Sequence, residues 1–138
     1  MSRLTCGFLT LGLLLCTSSL PASASEQVSI QTLLSPDAGS YQRHTVTIEG
    51  VVKNMSIHPP GMDRQGCVVY GTSTFTLDDE TGSTIPTEVL GACKPSAALG
   101  LPKNGDHVRV IAVVNVFRSD HPRKVRLQAT SIEVLNTP

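Results

Sequence analysis

Three segments in which apolar and polar residues alternate constrain the fold of this chain more than any other feature. They cover residues 46–52 (VTIEGVV), 75–82 (FTLDDETG) and 105–114 (GDHVRVIAVV). A period of two places successive side chains on opposite faces of a β-strand, and the Asp, Glu and Gly residues after FTL are typical of a tight turn. The order and spacing of the segments predict the first, second and fourth strands of a small barrel.

The remaining pattern completes an all-β, five-stranded Greek-key barrel of the OB-fold type. The predicted strands one to five cover residues 45–54, 68–77, 84–90, 107–117 and 124–132. In strand two, Val69, Phe75 and Leu77 are expected to face inward, whereas Tyr70 and the neighbouring threonines face outward. We further expect Leu77 to face Thr84 across a hairpin. A long loop at residues 55–66, rich in Pro and Gly, separates strands one and two.

A short helix is predicted before the barrel. Ser29 is a suitable N-cap residue for a helix that carries Ile30, Leu33 and Leu34, and the proline at position 36 ends it. We therefore divide the chain into an N-terminal segment, residues 25–40, and a barrel, residues 41–135. Tyr41 is expected to join the core at one end of the barrel.

The fourth strand carries apolar residues on both faces. Its outward row includes Ile111, Val113 and Phe117. This row either lies beneath the N-terminal helix, which is the expected arrangement, or forms an exposed patch for a partner.

Residues 1–24 have the organisation of an export signal. Arg3 precedes an apolar stretch, and Ala22 and Ala24 form an A-x-A cleavage site, so the mature chain is expected to begin at Ser25 in the periplasm or outside the cell. Loss of Arg3 leaves 10 basic and 11 acidic residues. A near-neutral chain has no global positive field, which disfavours nucleic acid as the ligand.

Export would leave an even pair of cysteines, Cys67 and Cys93. The predicted hairpin of strands two and three places them within one residue of direct opposition at its open end. We therefore predict a disulfide rather than a redox or metal-binding pair.

The strongest local positive charge follows strand four. Arg118, His121, Arg123, Lys124 and the outward Arg126 lie in or next to the loop before strand five. In OB barrels this loop and the loop after strand one flank the ligand face, so we expect the cluster to meet His58 and Arg64 of the long loop. An anionic ligand would suit that cleft, although a solvated hairpin tip explains the same charges. Tyr70 is the best exposed aromatic candidate.

No catalytic, metal-binding or cofactor-binding signature is found in the sequence. The four histidines lack metal-ligand spacing, and the chain contains neither a G-x-S-x-G elbow nor a phosphate-binding glycine loop. We therefore expect no enzymatic activity, no metal and no cofactor.

With these residues assembled, the chain resembles small exported OB-fold domains related to the nucleic-acid-binding, tRNA-anticodon-type OB group. The resemblance is carried by Tyr41, the three alternating segments, the Leu33-Leu34 pair and the closing alternating strand. It implies a barrel and, by analogy, a nucleic-acid ligand. The periplasmic OB-fold haem chaperones are a looser match, but their H-x-x-x-Y motif is absent because Val125 follows His121 where tyrosine is required.

The sequence thus predicts an exported, non-catalytic OB-fold binding module with a protein or peptide partner in the cell envelope. The alternative is nucleic acid or another polyanion, bound through the basic loop. Single-strand binders of this fold usually stack bases on several aromatic side chains, whereas this chain has 3 Phe and 2 Tyr.

Overall fold

A computed structural model describes residues 25–120 and 123–135 as a strand-rich chain with three short helices. The predicted export signal and His121 lie outside the described residues. None of the helices within these ranges is long and apolar enough to cross a membrane. The helices are α1 (Ile30–Leu34) and two 3-10 helices, Pro36–Tyr41 and Pro95–Ala97. The strands are β1 (Glu26–Gln27), β2 (Thr45–Ile57), β3 (Gly61–Met62), β4 (Val68–Val69), β5 (Ser73–Asp78), β6 (Thr84–Val89), β7 (His107–Phe117) and β8 (Lys124–Val134).

Six strands form one sheet in the order β1-β2-β5-β6-β8-β7, and a further pairing of β2 with β7 closes it into a barrel. The parallel β6–β8 pair and the antiparallel neighbours give the expected five-stranded OB-fold topology, with β1 as an extra strand beside β2. β2 pairs with β7 through Thr45 to Val51 and with β5 from Val51 onward. A single long strand therefore serves both sides of the barrel.

The barrel core consists of the inward rows predicted from the alternation, except that Val69, expected to face inward, is half-buried in β4 and outside the core cluster. Ile48, Leu77, Ile85, Val110 and Leu127 are all completely buried. Their burial removes large apolar side chains from water, which is the main favourable term in folding a domain of this size.

The N-terminal helix covers one end of this core. The Ser29 side chain accepts a hydrogen bond from the backbone N–H of Thr32 at 3.1 Å, as expected for an N-cap residue. Ile30 and Leu33 are buried in the core cluster, and Tyr41 packs against it half-buried. The helix and the Tyr41 prediction are confirmed.

The N-terminal helix was expected to lie over the outward row of β7, but the structure places it elsewhere. The main contacts of α1 are with the first 3-10 helix and with β6. Ile111 and Val113 stay half-buried on the outer face, and Phe117 is 42% exposed. The helix closes the end of the barrel instead, because its apolar residues face the core.

The second predicted strand, residues 68–77, is wrong as a continuous element. Val68–Val69 pairs with Gly61–Met62 in a separate two-stranded sheet, and the barrel strand begins only at Ser73. Gly71, with φ of 79°, adopts a left-handed conformation that interrupts the extended chain between them. The long loop predicted at residues 55–66 is therefore partly a hairpin, and β2 runs three residues beyond its predicted end.

The predicted pairing of strands two and three is wrong by one residue. Leu77 faces Ile85 rather than Thr84, whose partner is Asp78. The turn between them is closed by a 3.1 Å hydrogen bond from the Asp79 N–H to the carbonyl of Ser83. The Asp79 side chain also accepts from the N–H groups of Thr81 and Ser83. The turn therefore covers residues 79–83, whereas the predicted strands leave residues 78–83 for it.

The predicted disulfide between Cys67 and Cys93 is present, with the Cα atoms 5.6 Å apart. It connects the β3–β4 hairpin to the segment after β6, next to the bridge between Tyr70 and Ala92. The bond thus fastens to the barrel a hairpin that has only two residues in each strand.

The double variant C67S/C93S should lose about 3 kcal/mol of unfolding free energy, because the crosslink restricts the unfolded chain. Urea unfolding of the variant and of the oxidised protein would measure this difference. The reduced protein serves as a control and should match the variant. Equal unfolding midpoints for all three samples would contradict a stabilising role for the bond.

A buried hydroxyl gives a second stability prediction. Thr87 is 1% exposed, and its Oγ1 has no hydrogen-bond partner among residues 25–120 and 123–135. The isosteric substitution Thr87→Val should stabilise the protein by about 1 kcal/mol, because it removes an unsatisfied buried polar group. Thr76→Val, at an outward position of β5, is the matched control and should change the unfolding midpoint little. A destabilised T87V variant would show that the hydroxyl has a partner in solution.

Candidate ligand-binding groove

Two adjoining clefts lie on the outer face of the barrel, where OB folds carry their ligands. The first, which we call the strand cleft, has a volume of about 290 Å³ and crosses β5 and β6. The second, the loop cleft, has a volume of about 420 Å³ and lies between α1, β6 and the β7–β8 loop. Pro86 and Arg126 line both, so the clefts form one groove.

The strand cleft has a polar floor produced by the outward rows of two paired strands. Thr74 lies opposite Glu88 in the ladder, and Thr76 lies opposite Pro86. Asn54, at the bend of β2, forms one border of the cleft. Hydroxyl and amide groups at these positions can hydrogen-bond the backbone or polar groups of an extended ligand.

The loop cleft has apolar walls. They are formed by Leu34 at the end of α1, Pro86 of β6, Phe117 at the end of β7 and Val125 at the start of β8. Leu34 is 48% and Phe117 42% exposed. Such walls favour an apolar group of a ligand, and the volume lies within the range of small-molecule and side-chain pockets.

Three cations line the loop cleft, and two of them already have acidic neighbours. Lys124 Nζ lies 3.7 Å from an Asp120 oxygen, and an Arg126 nitrogen lies 3.7 Å from Glu88. The Arg126 guanidinium carbon also lies 5.6 Å from the centre of the Phe117 ring, within cation–π range.

Arg123 differs from these two residues, because it forms no ion pair with any residue in the described ranges. It lines the loop cleft and also a third cleft on the other side of Leu34. Its charge is therefore available to an anionic ligand.

A further cation near the groove is held by its own partner. Lys53 lies opposite Thr76 in the β2–β5 ladder and donates a 2.6 Å hydrogen bond to Asp78. This hydrogen bond lowers the pKa of Asp78 and raises that of Lys53. The strand cleft thus gains little positive charge from Lys53.

The structure separates the predicted site residues into two regions. Arg123, Lys124 and Arg126 line the groove together, whereas neither His58 nor Arg64 lines either of its clefts. The backbone N–H of His58 donates to the Thr72 carbonyl at 2.9 Å.

Two other predicted residues also lie apart from the groove lining. Tyr70 is half-buried and pairs with Ala92 through backbone hydrogen bonds of 2.8 and 2.9 Å. Arg118 is exposed in the β7–β8 loop but lines neither cleft.

Sequence reasoning did not identify Leu34, Pro86 and Glu88 as groove residues, and it placed Phe117 only in the outward row of the fourth strand. Pro86 carries a usable signal, because a proline has no N–H to donate to a strand ladder. Pro86 lies one residue before the first β6 residue that pairs with β8. Leu34 carried no such signal, since its exposure depends on where α1 sits relative to the β7–β8 loop.

Asp63, Cys67 and Cys93 bring three metal-ligand atoms within 4.8 Å of one another. Both sulfurs are bonded to each other, so they lack the thiolate form that binds metals. The Asp63 carboxylate instead accepts hydrogen bonds from the N–H groups of Gln65 and Cys67 at 2.9 and 3.0 Å. In the oxidised protein this cluster therefore stabilises the hairpin.

Neither a protein-family model nor a curated protein matches the sequence. Among solved structures, the chain is similar to an aspartyl-tRNA synthetase from Entamoeba histolytica, with 14% identity and a TM-score of 0.55 over 88% of this chain and 24% of the synthetase. A structure described as an aspartyl-tRNA synthetase from Leishmania major Friedlin gives 14% identity and a TM-score of 0.57 over 89% of this chain and 23% of that one. The chain thus spans about a quarter of these synthetases.

An OBody bound to hen egg-white lysozyme is also similar. It has 16% identity and a TM-score of 0.53 over 84% of this chain and 100% of the OBody. At these identities the likeness establishes the OB fold of the chain.

The Lys53–Asp78 pair leads to a prediction for the pKa of Asp78. In Lys53→Met the pKa of Asp78 should rise towards its ordinary value, because the hydrogen bond that favours the carboxylate is lost. NMR titration of the Asp78 carboxyl carbon would measure this shift. In the unmodified protein the pair contributes its full stability above the ordinary pKa of Asp and loses it as the pH falls through the lowered pKa of Asp78. The unfolding free energy of Lys53→Met should therefore decrease less on acidification than that of the unmodified protein.

Lys103→Met is the matched control, since that exposed side chain forms no ion pair with the described residues. A Lys53→Met variant whose Asp78 titrates as in the unmodified protein would disprove the coupling.

Proposed function

We propose that this protein is an exported, non-catalytic OB-fold binding module that holds a peptide or protein segment of the cell envelope in the groove. The observation that carries the proposal is the loop cleft, with its apolar walls of Leu34, Pro86, Phe117 and Val125. An apolar cleft beside a polar, hydroxyl-lined floor suits an extended chain that has an apolar side chain and a polar backbone.

The charges in the groove favour a peptide over a polyanion. Lys124 and Arg126 face Asp120 and Glu88. A nucleic acid would bring repeated phosphates close to these carboxylates, and tight phosphate binding usually depends on several free cations. The single unpaired groove cation, Arg123 among the described residues, is too little charge for that purpose.

Two observations support export. The sequence of residues 1–24 has the charged start, apolar stretch and small-residue site of a signal. The disulfide between Cys67 and Cys93 suits an oxidising compartment such as the periplasm or the cell exterior. Fold likeness adds that an OB barrel can carry a protein-binding surface, since the similar OBody is bound to lysozyme.

Single-stranded nucleic acid is the second candidate. The half-exposed Phe117 ring, with Arg126 beside it, could stack on a base, and the two similar synthetases are named for tRNA. This candidate requires binding that weakens steeply with salt and that fails when Arg123 and Lys124 are replaced.

The test is to select, from libraries of random peptides, those that bind the oxidised protein. One library displays the peptides with free C-termini, and a second displays them within a loop. Selected peptides should bind the unmodified protein and should bind Thr74→Trp at least about tenfold more weakly, because the indole fills the strand cleft. Thr45→Trp, at an exposed position where β2 meets β7, should bind normally. Fluorescence anisotropy gives the affinities.

The same assay with labelled oligothymidylate at low and higher salt separates the two candidates. Tight, salt-sensitive oligonucleotide binding together with no selected peptide would replace the peptide proposal by the nucleic-acid one. Peptides that bind both tryptophan variants equally would show that the groove is not their site.

A further inference from the structure

Arg123 is placed to bind one anionic group at the edge of an apolar cleft. A Cβ atom built on Gly39 would lie 3.5 Å from Nη1 of Arg123, so the guanidinium lies beside the first 3-10 helix. From there it borders the loop cleft and the cleft on the other side of Leu34. Its fork of N–H donors matches the geometry of a carboxylate.

The charge balance of the loop cleft also indicates a ligand with one negative charge. Asp120 is 3.7 Å from Lys124, and Arg126 has Glu88 as its neighbour in the strand cleft. These pairs leave Arg123 as the unbalanced charge among the described groove residues. A ligand with several phosphates would exceed this positive charge, whereas a single carboxylate would match it.

The apolar walls specify what must lie next to that carboxylate. Leu34 and Phe117 are both roughly half exposed, and together with Pro86 and Val125 they line an open cleft of about 420 Å³. An aliphatic side chain fits such a space and would gain free energy when it is removed from water. The last residue of a peptide chain carries both groups, because its aliphatic side chain and its carboxylate are attached to the same Cα atom.

We propose that the loop cleft binds the C-terminus of a peptide whose final residue is aliphatic, with the terminal carboxylate on Arg123 and the side chain between Leu34 and Phe117. The preceding residues then extend across Pro86 into the strand cleft, where Thr74, Thr76 and Asn54 line the path. This inference rests on the proposed peptide-binding function and specifies its ligand.

The test compares two fluorescein-labelled hexapeptides, SGSTVL with a free carboxylate and the same sequence with a C-terminal amide, by fluorescence anisotropy on the oxidised full protein. The free acid should bind about tenfold more tightly, because the amide loses the charge-assisted hydrogen bonds to Arg123. Replacement of the last leucine by serine should also weaken binding. The dependence on salt should be shallow, as expected for one charge.

Substitutions then assign the effect to Arg123. Arg123→Gln should reduce binding of the free acid to that of the amide and leave the amide unchanged, and Arg123→Lys should restore part of the difference. Arg43→Gln is the matched control, because Arg43 is exposed and lines none of the three described clefts. Thermal melts show whether each variant is folded.

The outcomes distinguish this inference from the proposed function. Equal binding of acid and amide by a protein that holds library-selected peptides in the groove would overturn the C-terminal inference alone. Loss of the acid preference in Arg43→Gln as well as in Arg123→Gln would also overturn it. Binding of oligothymidylate, with no binding of either hexapeptide or of any selected peptide, would overturn both proposals.

Discussion

Closure of the barrel by one strand is the constraint on which the rest of this structure depends. β2 hydrogen-bonds β7 along its first half and β5 along its second half, and the pairing passes from one neighbour to the other at Val51. Gly50 directly precedes this change of partner, and a Cβ added there would lie 3.0 Å from the carbonyl oxygen of Asp78. Glycine permits this close approach of two backbones, because any side chain would push β5 away.

The same closure places the groove. Because β2 pairs with β5 in its second half, the outward rows of β5 and the neighbouring β6 form the polar floor of the strand cleft. The parallel pairing of β6 with β8 brings Arg126 beside Glu88. Asn54, with φ of 54°, bends β2 at the border of this floor, where its register against β5 shifts. The positions of the residues that line the strand cleft therefore follow from barrel geometry.

The elements that the sequence predicts well are those in which burial repeats with a fixed period. β7 has the predicted bounds, residues 107–117, because one whole face of it is buried. The hairpin pairing was wrong by one residue, since it depends on side-chain hydrogen bonds of Asp79 that periodicity does not encode. The groove was found only in part for a similar reason. The charge cluster of Arg123, Lys124 and Arg126 is visible in the sequence, but Glu88, the acidic neighbour of Arg126, is contributed by β6.

The N-terminal segment, residues 25–40, contributes both to the core of the barrel and to the wall of the loop cleft. Ile30 and Leu33 close the core of the barrel, and Leu34, the next residue, forms a wall of the loop cleft. Because the buried and exposed leucines are adjacent on one short helix, any shift of the helix would change the end of the core and the shape of the cleft together. The buried contacts of Ile30 and Leu33 therefore fix the position of Leu34, and the shape of the loop cleft depends on the same packing that stabilises the fold.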